Sequence, residues 1–285
     1  RQHDLARIKR DRTMLVLNTN MGSLNAQRAL TTVQESQQTA MERLSSGSRI
    51  NRAKDDAAGL SIADNMTAQI RGVNQAIRNS NDGVSFVQTA DGGLEEVSQM
   101  LQRIRELTIQ AGLGTQNSLQ QDYIDQEVAA LGAEISNVIH NTEFNDIAVF
   151  TASTKLVQTG WESGDTMTIG ISNTLSAALA SYTAFVDSAA VHNTSGLSLV
   201  NIDTALDAVN SARSSLGAQQ NRLEHNASNL RNVSENISAS RSRIMDTDFA
   251  SESAELARTN VLQQAGMAML SQANQSGQQI MQLLK

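Results

Sequence analysis

The side chains that usually carry catalysis or hold metals are sparse in this sequence. Cysteine is absent, which excludes thiolate metal sites, cysteine nucleophiles and disulfides. The histidines are widely separated, at His3, His140, His192 and His225. No two of them stand at a metal-ligand spacing, and no His-Glu-x-x-His zinc motif occurs. The histidines therefore predict no metal site.

Paired carboxylates and glycine clusters are present, but their spacing does not favour chemistry. Asp55-Asp56 and Glu95-Glu96 are adjacent pairs, and adjacent residues on a helix do not face each other. No Gly-x-x-x-x-Gly-Lys phosphate loop occurs, and Gly92-Gly93 indicates a turn or helix boundary at most. We therefore predict no catalytic residue and no cofactor, and a protein that is not an enzyme.

The composition favours thin helical layers over a thick core. Aromatic residues make up 3% and charged residues 18% of the 285 residues, so bulky core anchors are few. Proline, which interrupts helices, is absent. The net charge of −7 argues against general nucleic-acid binding. No run of 18 apolar residues predicts a membrane span.

Long stretches carry apolar stripes with the period of coiled-coil helices. The clearest is a repeat at every seventh residue, at Ile202, Val209, Leu216, Leu223, Leu230, Ile237 and Ile244. A second stretch, over about 57–111, carries Ile70, Val73, Ile77, Val84, Val87, Leu94 and Leu101. A further helix fits Ile124, Val128, Leu131, Ile135 and Val138. A strict seven-residue repeat predicts left-handed supercoiling.

The stripes near the two ends are smaller and more polar. The first is Ala26, Leu30, Val33, Gln37, Ala40 and Leu44. The last is Leu262, Ala265, Met269, Gln272, Ser276 and Leu283. Isolated helices of this kind are marginal in water. We therefore expect the end helices to pair with each other or with other copies of the chain, as in an assembly protein.

The middle of the chain departs from the helical pattern. A β-like run at 166–169 follows the turn signal Gly164-Asp165, and 155–158 could be its partner strand. Residues 182–199 show no steady period. The sequence thus predicts two helical arms around a β-hairpin and a short irregular excursion.

Strings in both arms resemble bacterial flagellin. The N-terminal strings include LNTN at 17–20, SLNAQ at 23–27, ERLSSG at 42–47, RIN at 49–51, AKDDAAG at 53–59 and QRIREL at 102–107. The C-terminal strings include LGAQQNRL at 216–223, DTDFA at 246–250 and QANQ at 272–275. A generic cytosolic coiled-coil scaffold would share the heptads but not these strings.

The resemblance implies a mainly α fold of long antiparallel helices. Residues 14–55 with 240–285 would form the terminal coiled coil called D0. Residues 56–171 with 197–239 would form the helical rod called D1, with its β-hairpin. Residues 172–196 would be a short variable excursion, with domains D2 and D3 absent or vestigial. Residues 1–13, which have no flagellin counterpart, are interpreted as an artefact, an upstream translation start or a basic arm.

The resemblance also implies a function, which is self-assembly into the flagellar filament for swimming motility. The subunit would be secreted by flagellar type III export, without a cleaved signal, and would form an extracellular homopolymer. Expected partners are an export chaperone at the C-terminal helix, hook-associated and cap proteins, and Toll-like receptor 5, which would recognise the monomer. Neither nucleic acid nor membrane is an expected partner.

Two sets of site residues are predicted. The receptor-recognition set is Gln102, Arg103, Leu107 and Glu127, in which Arg103 and Leu107 are four apart and expected on one helical face. The assembly-interface set is Leu30, Leu44, Arg49, Asn51, Lys54, Asp55, Asp56, Leu262, Ala265, Met269, Leu283 and Leu284.

Two alternative functions remain. A flagellin-like surface protein that binds an extracellular ligand, such as a polysaccharide, would need an aromatic-lined cleft, and Trp161 is its only tryptophan. A hook–filament junction protein would also have flagellin-like ends, but the match along both arms and the small middle argue against it.

Overall fold

The computed structural model describes residues 20–113, 115, 117–150, 154–171 and 199–283, with side chains described as far as residue 275. The described helices are α1 Met21–Ser46, α2 Ala57–Ala111, α3 Ser118–Asn141, α4 Leu199–Met245 and α5 Phe249–Leu283. The strands are β1 Glu143–Phe144, β2 Ile147–Ala148, β3 Lys155–Gln158 and β4 Thr166–Ile169. The mainly α prediction is confirmed. The predictions for residues 1–13 and 172–196 lie outside the described residues.

The described chain divides into two compact units. Residues up to Asn65 and from Ser240 onward form unit 1, and residues from Met66 to Ala239 form unit 2. Helices α2 and α4 contribute residues to both units.

The core of unit 2 is built from the stripes of α2, α3 and α4. The seven-residue repeat of α4 places four fully buried side chains there, at Ile202, Val209, Leu216 and Leu223. Leu94, Leu101 and Ile104 of α2 and Val128 and Ile135 of α3 belong to the same cluster. Burying one such side chain stabilises a fold by roughly 1.5–3 kcal/mol. The heptad positions predicted from the sequence are thus the core of unit 2.

The β-hairpin of unit 2 is the pair β3–β4, as predicted. The strands are antiparallel, with Lys155 opposite Ile169 and Gln158 opposite Thr166. Met167 and Ile169 are buried in the core of the unit. A second, two-residue pair, β1–β2, turns through Asn145 and Asp146, both with positive φ.

Unit 1 contains the antiparallel pair α1–α5. The Asn20 side chain caps α1 by accepting a hydrogen bond from the backbone N–H of Ser23. The helix ends at Gly47, whose φ of 69° is the left-handed conformation that favours glycine. Within the described residues of unit 1, few apolar side chains are fully buried: Ala40, Ile50 and Ala63.

Candidate assembly surfaces

The face of α1 that packs against α5 is the stripe predicted from the sequence. Its less exposed positions are Ser23, Ala26, Leu30, Val33, Gln37, Ala40 and Leu44. Three contacts fix the antiparallel register along the pair. The Asn20 amide donates to the carbonyl of Ala273 at 2.8 Å, and the Gln37 amide donates to Asn260 at 2.6 Å. At the other end, Arg43 forms a salt bridge of 3.6 Å with Glu252.

The face of α5 that packs against α1 differs from the predicted stripe by one position. The less exposed residues are Leu256, Thr259, Gln263, Gly266, Leu270 and Ala273. A Cβ at Gly266 would lie 3.1 Å from Leu30 Cδ1, so this position allows a close approach of the two helices. Gly266 is thus one small residue that favours this face of α5 for the contact with α1.

The predicted stripe of α5 lies outside this contact. Leu262, Ala265, Met269 and Gln272 are all exposed, and Leu262 and Met269 expose 43% and 65% of their surface. The two end helices therefore do pair with each other, but through the neighbouring face of α5, and the assembly role of this stripe stays a prediction. The side chains of Ser276 and Leu283, and Leu284 as a whole, lie outside the described residues.

Residues 47–56 connect α1 to α2. The first residues of this segment are bound to the end of α4 and the residues just after it. Ser48 and Asp246 form an antiparallel bridge, and the backbone N–H of Thr247 donates to the carbonyl of Gly47 at 3.0 Å. The Arg49 guanidinium donates to the carbonyl of Ile244 at 2.8 Å. Arg49, predicted at an interface between copies, thus already joins the two arms within unit 1.

The acidic residues of this segment organise its backbone. One Asp55 oxygen accepts from the backbone N–H of Arg52 at 2.9 Å and of Asn51 at 3.2 Å. The Arg52 N–H holds the pKa of Asp55 below its ordinary value, with further lowering from the Asn51 N–H and from the charge of Lys54. Asp56 accepts from the backbone N–H of Gly59 at 2.8 Å and so caps α2.

The remaining side chains of this segment differ in what they leave accessible. Asn51 donates to the carbonyl of Ser48 at 2.9 Å, which closes the loop on itself. Arg52 donates to both carboxylate oxygens of Glu42, at 2.9 and 3.0 Å, a pair that the sequence pattern gave no reason to expect. Lys54 is exposed and forms no salt bridge within the described residues.

The receptor-recognition residues are brought together on unit 2, with one exception. Arg103 donates from two nitrogens to Glu127 of α3, at 2.8 and 3.0 Å, and from a third to Glu106 at 3.2 Å. The hydrogen bond to Glu127 is the main reason why the pKa of Arg103 is raised. Gln102 is exposed beside them, and its amide donates to Ser98.

Leu107 does not share the accessible face of Arg103. It is 2% exposed and belongs to the core cluster of unit 2. Four residues along a helix make an angle of about 400°, so the two positions differ by about 40°. At the edge of a core, that rotation separates an exposed side chain from a buried one. Arg103 is thus exposed and Leu107 lies in the core, although the two positions are neighbours on α2.

Side-chain amides that the sequence analysis did not single out hold the β3–β4 hairpin to the helices of unit 2. The Gln219 side chain accepts from the N–H of Gly170 at 2.9 Å and donates to its carbonyl at 3.0 Å, as a paired strand would. At the other end, Asn226 donates to the carbonyl of Thr159 at 2.8 Å, and Asn79 donates to that of Gln158 at 3.1 Å. The seven-residue spacing of Gln219 and Asn226, beside the heptad leucines, was the available signal.

One cleft of about 270 Å³ lies between α2 and α4 in unit 2. It contains no aromatic side chain, and its lining is Val87, Asp91, Asn210, Arg213, Leu216, Gly217 and Gln220. Arg213 donates a hydrogen bond to Asp91 at 2.8 Å. This hydrogen bond is the main reason why the pKa of Arg213 is raised. Trp161 does not line this cleft. It packs beside Gly72, where an added Cβ would lie 3.0 Å from the Cβ of Trp161. This cleft does not supply the aromatic lining that the ligand-binding alternative needs.

The part of the chain that the structure describes offers neither a cluster of metal ligands nor a membrane-spanning helix. No three His, Asp or Glu side chains there come together as potential metal ligands. None of the helices there combines the length and the apolar character needed to cross a membrane.

Comparison with known proteins gives matches along both arms. Residues 17–155 match the bacterial flagellin N-terminal helical region, and residues 199–284 match the bacterial flagellin C-terminal helical region. A flagellin of Halalkalibacterium halodurans is 44% identical over 274 residues, which are 95% of this chain and 100% of that protein. A flagellin of Bacillus subtilis is 39% identical over 302 residues, and the match covers 94% of this chain and 99% of that protein. The crystal structure of Bacillus cereus flagellin matches with 32% sequence identity and a TM-score of 0.47. The match covers 54% of this chain and 88% of the Bacillus cereus chain.

Proposed function

The chain belongs to the bacterial flagellin family, whose members are structural subunits of the extracellular flagellar filament, and we propose that it assembles into such a filament for swimming motility through the exposed stripe of α5. We further propose that its role is structural and not catalytic. The observation that supports the stripe as the contact is its register, since Leu262, Ala265 and Met269 lie beside the face that packs against α1 and remain exposed.

An exposed apolar stripe of this kind favours contacts with other copies. Exposing Leu262 and Met269 to water is unfavourable, and covering them removes that cost. The stripe differs from the face that contacts α1, so each copy offers one face to its own chain and another to a neighbour. Contacts between two different surfaces build open helical filaments when they do not close into a ring. Leu283 and Leu284 are proposed to extend the stripe.

The segment 47–56 is proposed as the second part of the assembly interface. Within unit 1, Arg49, Asn51, Asp55 and Asp56 are held in defined positions by their own hydrogen bonds. That order would present Lys54, which is exposed, at a fixed place to a neighbouring copy. Leu30 and Leu44 are proposed to act indirectly, because they lie in the α1–α5 seam that shapes α5.

The two units are proposed to correspond to the layers of a flagellin. Residues 14–55 and 240–285 would be D0, which is supported by the α1–α5 pair of unit 1. Residues 56–171 and 197–239 would be D1, which is supported by α2, α3, α4 and the β3–β4 hairpin of unit 2. Residues 172–196 would be a short excursion in place of outer domains.

The monomer is proposed to be recognised by Toll-like receptor 5 at Gln102, Arg103 and Glu127. The Arg103–Glu127 hydrogen bonds support this proposal, because they hold a planar guanidinium in one orientation on an accessible face. Leu107 would act from beneath, by fixing α2 in the core. We expect Arg103→Ala to weaken receptor binding without changing filament formation, with Arg105→Ala as the control. Equal loss for both variants in a binding assay would contradict the assignment.

Export is proposed to place other partners on α5 before assembly. An amphipathic helix in a groove is a common mode of recognition, so a chaperone could cover the exposed apolar side chains of residues 256–275 during flagellar type III export. Hook-associated and cap proteins are proposed to contact the same terminal helices at the ends of the filament.

Electron microscopy tests the central proposal. The purified protein is dissociated with heat or acid, returned to neutral pH and seeded. We expect long filaments from the unmodified chain and none from Leu262→Asn, because an amide placed in the stripe would be buried without a partner. Gln264→Asn, at an exposed position of α5 outside the stripe, should still polymerise. Helical monomers that never polymerise but bind a polysaccharide would instead favour the surface-binding alternative.

A further inference from the structure

All the methionines that are exposed within the described residues lie in unit 1. They are Met21 and Met41 of α1 and Met267 and Met269 of α5, each with between 53% and 65% of its surface exposed. The described methionines of unit 2 are buried or half-buried. Met167 is buried and Met100 packs against the core, while Met66 is half-buried. Among the described methionines, those with more than half of their surface exposed thus lie on α1 and α5 of unit 1.

Met267 and Met269 occupy the two borders of the α1-facing side of α5. Gly266 and Leu270 lie on that side, and a residue advance of about 100° places Met267 on one border and Met269 on the other. Met269 also belongs to the exposed stripe with Leu262 and Ala265. The neighbouring alanines, Ala265 and Ala268, carry no side-chain hydrogen-bond donor.

We propose that Met267 and Met269 are a modification site for peroxides, and that their oxidation to sulfoxides blocks addition of the subunit to a filament. In this reaction the O–O bond of hydrogen peroxide breaks and an S–O bond forms. The sulfur loses two electrons, the peroxide gains them, and water leaves. The sulfoxide is polar, and methionine sulfoxide reductases convert it back to the thioether. The same site would be closed to peroxide once a neighbouring copy covers it.

The effect on assembly follows from the polarity of the product and rests on the proposed function. A sulfoxide oxygen is a hydrogen-bond acceptor, and burying it without a donor is unfavourable. An unmodified thioether, in contrast, is apolar and adapts to irregular surfaces. We expect the critical concentration for polymerisation to rise about tenfold, which corresponds to about 1.4 kcal/mol per subunit.

The experiment treats monomers and filaments with hydrogen peroxide and follows each methionine by peptide mass spectrometry. In monomers, Met267 and Met269 should oxidise faster than Met167, and in filaments they should be protected. Oxidised monomers should polymerise poorly and recover after treatment with the reductases. Equal oxidation of these methionines in monomers and filaments would overturn the proposal.

Two double variants separate the site from general damage. Met267→Leu with Met269→Leu keeps the apolar volume and should polymerise equally well with and without peroxide. Met21→Leu with Met41→Leu should polymerise untreated but remain sensitive. If the α5 variant stays as sensitive as the unmodified chain, the inference is wrong. If the untreated chain never polymerises, the proposed function itself fails and the inference falls with it.

Discussion

Unit 1 and unit 2 are both built from long helices with seven-residue repeats, yet they use these repeats differently. In unit 2 the repeats of α4 and α2 bring large side chains together, and Leu94, Leu101, Leu216 and Leu223 are fully buried. In unit 1 the facing positions of α1 and α5 mix half-buried leucines with small or polar residues, and Ala40 and Thr259 are among the few that are fully buried. The same period therefore gives a core of fully buried side chains in unit 2 and leaves apolar side chains exposed in unit 1.

The largest expected effect breaks the core of unit 2. Leu101→Ala removes a fully buried side chain and leaves a cavity, which typically costs about 2–5 kcal/mol. Leu30→Ala in unit 1 should destabilise the monomer far less, because Leu30 is only half-buried. Urea unfolding of the monomers, followed by far-UV circular dichroism, measures both. Comparable losses for the two variants would show that the units do not differ in this way.

The next effect concerns the close approach in unit 1. Gly266→Val places a branched side chain where a single Cβ is already 3.1 Å from Leu30, and such overpacking typically costs about 1–3 kcal/mol. We expect faster amide hydrogen exchange in α1 and α5 and impaired polymerisation. Gly217→Val, at a helical position with open space before its Cβ, is the control for exchange in the monomer. If both variants exchange alike, helix propensity and not packing explains the change.

A smaller effect should follow from releasing the hairpin of unit 2. Gln219→Ala removes two hydrogen bonds to Gly170, each worth about 0.5–1.5 kcal/mol net. The amides of β3 and β4 should then exchange faster, while α4 is unchanged. Gln220→Ala is the matched control, since the Gln220 amide bonds only within its own helix, to Glu224. An unchanged hairpin in Gln219→Ala would mean that the core contacts of Met167 and Ile169 hold it alone.

The smallest effect is the pH response of residues 51–55 in unit 1. The pKa of Asp55 is lowered on folding, so its carboxylate stabilises the loop above its ordinary pKa of about 3.9, and this contribution is lost as the pH falls through the lower folded value. We expect the amide resonance of Arg52 to shift in that acidic range by NMR. Asp55→Ala should abolish the transition. A transition that persists in this variant would assign it to another carboxylate.

The sequence predicted more of unit 2 than of unit 1, for a physical reason. In α4 a single stripe of large residues, Ile202 to Leu230, fixes the buried face, and only that face is buried. In α5 two neighbouring stripes compete, one with Leu262 and Met269 and one with Gly266 and Ala273. Both stripes carry large apolar residues, since the second also includes Leu256 and Leu270, but the second contains Gly266, beside which Leu30 of α1 packs closely. The sequence pattern measures apolarity and does not report the distance between helices.

In the candidate sites too, the sequence pattern predicted helical positions but not which side chains are buried or bonded. Period alone placed Arg103 and Leu107 on one face, but the depth of the core buries Leu107 and leaves Arg103 exposed. Gln219 and Asn226 carry no signature as single residues, because an amide acts on the hairpin only when its backbone comes within reach. The loop residues Asp55 and Asp56 were predicted for an interface, which stays a prediction, and the structure adds that their hydrogen bonds order the chain that would present it.

Amide hydrogen exchange of α5 in monomers and in filaments tests the central claim most directly. We predict that residues 256–275 exchange rapidly in the monomer, where one face meets α1 and the other meets water, and become strongly protected in the filament. The core helices of unit 2, such as α4 between Ile202 and Leu223, should be protected in both forms. Equal protection of α5 in monomer and filament would contradict the account, because the exposed stripe would then gain no partner on assembly.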